Sequence, residues 1–93
     1  MAVTVGSFLS DKRGKGRSQK SIADKLEHVQ ITQSRLSEIE NGQLLPDRVQ
    51  EDAIADVLGF TADDRAAWKA LIKEAEAERR RELAARKAST EAA

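Results

Sequence analysis

The sequence predicts an all-α fold of about five helices, the last of them extended. Three observations carry that expectation. A single proline interrupts 93 residues, strand-like alternation is rare, and the strong helix formers Ala, Leu, Glu, Lys and Arg dominate. With 40% apolar residues, 34% charged residues and no net charge, the chain has apolar mass for one small helical core rather than two domains.

The first helix is the weakest by pattern: Val5, Phe8, Leu9 and Lys12 fall at helical spacing before Gly14 and Gly16 end it. A second starts at Ser18, a good N-cap, and sets Ile22, Ala23, Leu26 and Val29 on one buried face. After a short connection Thr32 caps a third, in which Leu36 and Ile39 point inward and Gln33, Ser34, Arg35 and Glu38 outward. Asn41-Gly42 stops it, because glycine tolerates the left-handed conformation at a helix C-terminus. A fourth opens after Pro46 with Asp47 as its cap, buries Val49, Ala53, Ile54, Val57 and Leu58, and ends at Gly59, with Phe60 as a core plug. The fifth begins at Thr61-Ala-Asp-Asp64, a capping-box variant, and runs to about Lys87. Its apolar face is Trp68, Leu71, Ile72 and Ala75; beyond, Arg79 stands where the next apolar residue belongs and only Leu83 returns. Ala88 to Ala93 has small residues and no core positions, which reads as a disordered tail at 89–93.

Several function classes drop out. The absence of cysteine removes disulfides, thiolate metal sites and a cysteine nucleophile together, and one histidine cannot build a multi-histidine cage. No Gly-rich phosphate loop, nucleophile–base pair or metal constellation is present, so neither an enzyme nor a cofactor is expected. No apolar run approaches the ~20 residues of a membrane span, and no secretory leader is evident; a soluble, cytoplasmic chain associated with the nucleoid is the expectation. The zero net charge conceals a pattern. Residues 1–20 carry five basic groups against one acid, a net +4; residues 21–46 are −2, residues 47–64 are −5, and residues 65–93 hold eight basic groups against five acids, a net +3. A basic stretch interrupted by glycines suits a phosphate backbone, where each neutralised phosphate releases counterions. The competing reading is a solvated loop.

The specific signal is the string ITQSRLSEIENGQLLPDRVQEDAIADVLGF at residues 31–60. Thr32 caps a helix, Leu36-Ser37-Glu38-Ile39-Glu40-Asn41-Gly42 closes it, Pro46-Asp47 opens the next, and Leu58-Gly59-Phe60 ends that one. In these places, and in Ser18-Gln19 and Ile22-Ala23, the chain resembles the Cro/CI-type (XRE) helix-turn-helix family over roughly residues 6–60. Three departures stand out: Leu26-Glu-His-Val-Gln-Ile31 is about three residues longer than the family's turn, Arg17 replaces an apolar residue that packs the first helix, and the fifth helix is much longer than a minimal family domain needs.

The resemblance implies a lambda-repressor-like domain at 1–60, with residues 61–88 as a docking and dimerisation helix. Gln33, Ser34, Arg35 and Glu38 would then meet base edges in the major groove. Lys12, Arg13, Lys15, Arg17, Ser18, Gln19, Thr32, Ser37 and Asn41 would meet the DNA backbone, while Glu40 is a packing carboxylate. A single recognition helix reads few base pairs, so a homodimer on a palindromic operator is expected, with Trp68, Leu71, Ile72 and Ala75 at its interface. A repressor of transcription is the reading these expectations favour. The rival is an antitoxin, whose C-terminal helix would hold a protein partner.

Overall fold

The computed structural model describes residues 3–14 and 16–92, and among these no strand occurs. Five α-helices follow in order: α1 (Val5–Arg13), α2 (Gln19–Asp24), α3 (Gln33–Glu40), α4 (Arg48–Leu58) and α5 (Ala62–Ala92), with a 3-10 turn at Glu27–Val29 between α2 and α3. Local chemistry sets most of the starts. Ser18, Thr32, Asp47 and Thr61 each accept a hydrogen bond from the amide three residues on. Gln50 and Asp64 return the bond to the amides of Asp47 and Thr61, so α4 and α5 both open with a reciprocal box. The weak first helix has the same device, in which the Thr4 and Ser7 hydroxyls each accept from the other's amide.

One core collects every helix. Leu9, Ile22, Leu26, Ile31, Leu36, Ile39, Ile54, Trp68 and Ile72 are at most 1% exposed. All three aromatic side chains meet in it: Phe8, Phe60 and Trp68 lie with ring centroids 5.6–5.9 Å apart, and the Trp68 indole N–H donates to the Glu51 carbonyl at 3.1 Å. The beginning of α5 thus belongs to the same core as α1–α4.

Four expectations are revised by this packing. The second helix does not continue to Val29; it ends at Asp24, and the chain tightens into the 3-10 turn before Gln30, at φ 63°, reverses it. That turn takes up the longer connection while keeping Leu26 and Ile31 buried, and the Gln50 side chain pins it by donating to the Val29 carbonyl at 3.1 Å. Val49 is not a core residue: it is 66% exposed, because α4 turns Ala53, Ile54 and Leu58 inward and leaves its second residue on the outside. Trp68 and Ile72 lie in the chain's own core rather than on a free face. Finally α5 is helical through Ala92, past residue 88 where the sequence reading ends it, and residue 93 lies outside the described residues. At 1.5 Å per residue its 31 residues span about 46 Å, which accounts for the 50 Å long dimension against 26 and 24 Å for the others.

Candidate nucleic-acid interface

Ile22 of the short helix α2, Leu26 just beyond its end, and Leu36 and Ile39 of α3 all lie in the common core. Burying those four leaves the polar side of α3 outward. Gln33, Ser34, Arg35 and Glu38 are exposed and Ser37 is half-buried. Among the described residues the Arg35 guanidinium makes no ion pair. Asn41, also exposed, ends the helix and donates through its amide to the Ser37 hydroxyl at 3.5 Å. Thr32 and Ser18 accept from amides in their own helices, so each hydroxyl proton is still available for an outside acceptor. Gln19, the first residue of α2, is half-buried.

The far end of α3 is held rigidly from two sides. On one, α1 comes so near that a Cβ built on Gly6 would stand 2.1 Å from the Glu40 carbonyl oxygen, so only glycine permits the approach. On the other, Arg13 grips the Glu40 carboxylate in bidentate fashion, Nε to Oε2 at 3.1 Å and Nη2 to Oε1 at 2.9 Å. The two side chains are 18% and 7% exposed, and the pair is largely desolvated. Arg13 Nη1 also donates to the Arg17 carbonyl at 2.7 Å. Arg17 in turn donates to the carbonyls of Lys12 (2.7 Å) and Arg13 (3.1 Å), satisfying the last acceptors of α1. Arg17 therefore packs the end of α1 by hydrogen bonds where an apolar side chain would do so by contact.

These contacts change the standing of the N-terminal basic stretch. Lys12 sits 2.7 Å from Asp64 and over the Phe8 ring, holding the Asp64 carboxyl below its ordinary value, with the Thr61 amide assisting. Of the basic groups expected at phosphates, Lys12, Arg13 and Arg17 are thus engaged within the chain, and Lys15 lies outside the described residues. Glu40 is the packing carboxylate its position suggested. The α1 glycine and the Arg79 contact described below are not evident from pattern alone, although a glycine on the apolar side of a helix signals a close backbone approach.

Residues 12–68 match the helix-turn-helix domain family, a span of 57 of the 93 residues. The chain belongs to that family. It is related to the Cro/CI (XRE) type, and its members are typically DNA-binding rather than enzymatic. The match begins near the end of α1 and closes at Trp68, so the helix-turn-helix domain includes the buried start of α5 and excludes its outer half. Neither a curated protein nor a solved structure matches the chain. Among the described residues no helix is long and apolar enough to cross a membrane, and no cluster of three His, Asp or Glu side chains is arranged to hold a metal.

Proposed function

We propose that this helix-turn-helix chain is a sequence-specific regulator of transcription, a repressor that binds an inverted-repeat operator as a homodimer. The observation that carries the reading is the exposed polar set on α3, presented by a helix whose inner face and C-terminal end are both locked in place. A rigid reading helix suffers little loss of freedom on binding, which favours affinity and selectivity. Gln33 pairs with adenine through its amide, Arg35 takes guanine or a phosphate, Ser34 takes either base type, and Glu38 accepts from cytosine or rejects competing sequences. Ser18, Gln19, Thr32, Ser37 and Asn41 set the register on the backbone, where hydroxyl and amide donors and helix N-termini meet phosphate.

Residues 1–60 read DNA in this scheme and residues 61–88 dock and pair. Leu71 and Ala75 retain exposed surface for that pairing, whereas Trp68 and Ile72 support it from within the core. Selecting duplexes from a random DNA pool tests the reading. Recovery of an inverted repeat with half-sites about one helical turn, ~34 Å, apart is the expected result; retention without a shared motif would overturn it. The exposed outer half of α5 is the feature that favours the antitoxin alternative, for which a toxin copurifying with the chain is the decisive observation.

A further inference from the structure

Of the basic groups at the N-terminal end, Lys12 and Arg13 are paired with Asp64 and Glu40, and Arg17 is spent on helix-end carbonyls. A phosphate-binding surface draws on the cations that remain, and the densest group of them lies in α5. Residues 79–87 hold five basic groups against Glu82, a net +4 in a chain whose total is zero. The whole segment is exposed. Among the described residues Arg80, Arg81 and Lys87 form no ion pair. Glu74, Glu76 and Glu78 precede it, so the sign of α5 reverses at residue 79. That reversal falls beside the reading helix: Arg79 Nη2 donates to the Gly42 carbonyl at 3.2 Å, one residue beyond Asn41 at the end of α3.

We propose that the outer half of α5 is a second DNA contact, in which Arg80, Arg81 and Lys87 take backbone phosphates beside the base pairs read by α3. This rests on the DNA-binding reading above. From residue 79 to residue 87 the helix rises about 12 Å, roughly the axial length of three to four phosphates on one strand at ~3.4 Å each. Arginine offers a donor fork matched to phosphate and lysine a compact charge. Such contacts carry no sequence information; they add affinity on any duplex and weaken with salt. Arg79 is the positioning residue, tying the start of the cationic turns to the turn that ends α3.

The test is the variant Arg80→Gln/Arg81→Gln/Lys87→Gln in the full chain, which retains good helix formers. Binding is measured across a salt series on the selected duplex and on a scrambled duplex of equal length, with the solution mass followed by sedimentation at the same concentrations. The expected result is a plot of log affinity against log salt that flattens by about two to three, ~0.9 per lost phosphate, with equal weakening on both duplexes and an unchanged mass. An unchanged slope overturns the inference. So does a loss accompanied by a fall in mass, which would assign the segment to contact between protein chains. If the parent chain binds no duplex at all, the DNA-binding reading itself fails and this inference with it.

Discussion

The two halves of α5 are one continuous helix with opposite fates. Over residues 62–75, Trp68 and Ile72 are each 1% exposed, Phe8 and Phe60 flank the indole, and the Asp64 and Arg65 side chains pair with Lys12 and Asp56. Over residues 76–87, Leu83 is 63% exposed, and Arg79 is tied to the body by its bond to the Gly42 carbonyl. The helical state of both halves follows from composition, because Ala, Glu, Arg and Lys favour it without tertiary help. Docking requires large apolar side chains in register with a surface that receives them, and only the first half has these. The first half is built for the stability of the domain, and in the second Arg80, Arg81 and Lys87 form no ion pair among the described residues.

The sharpest way to break this contrast is Trp68→Ala. Losing a fully buried indole with two ring neighbours costs about 3–5 kcal/mol in denaturant unfolding, a large fraction of a small domain's stability; a loss under about 1 kcal/mol would detach α5 from the core. Next comes Gly6→Ala, whose methyl group meets the Glu40 carbonyl. Displacing α1 from α3 costs about 1–3 kcal/mol, and because Glu40 ends α3, the helix proposed to read DNA, the expected outcome includes a fall in DNA affinity.

A smaller effect separates the halves by pH. Asp64 is held below its ordinary value by Lys12, so its contribution is present above the unfolded pKa and is lost as pH falls through the folded one. Asp64→Asn therefore flattens the decline in stability below about pH 4, most visibly in melting curves taken between neutral and acid pH. The Lys12–Asp64 pair lies at the surface, with side chains 37% and 23% exposed, and solvent screening keeps the difference small. The smallest effect belongs to the outer half: Leu83→Ala changes stability by less than ~0.5 kcal/mol. A larger loss would reveal that a second chain covers this residue in solution.

Much of the architecture was legible in the residues themselves. The caps Ser18, Thr32, Asp47 and Thr61 lie where their side-chain oxygens meet amides in their own first turn, and the inward set Ile22, Leu26, Leu36, Ile39 and Ile54 follows the helical period. Both are short-range features, readable within a few residues. Val49 has the right chemistry for the core and lies outside it, since the facing of a helix's first turn depends on which neighbours it meets. The 3-10 turn replaces an expected helical end because Leu26 and Ile31 must both reach the core across a longer connection.

The candidate interface divides along the same line. The sequence by itself determined which residues α3 turns outward, because burying Leu36 and Ile39 leaves Gln33, Ser34, Arg35 and Glu38 no other side. It also determined where the positive charge is written along the chain. Only the tertiary structure decided which of those charges remain free. Arg13 is neutralised by Glu40, 27 residues away, and Lys12 by Asp64 at the start of α5, while Arg80, Arg81 and Lys87 are left to solvent. An ion pair depends on distance in space, and for these basic groups that distance is set by how α1, α3 and α5 pack together.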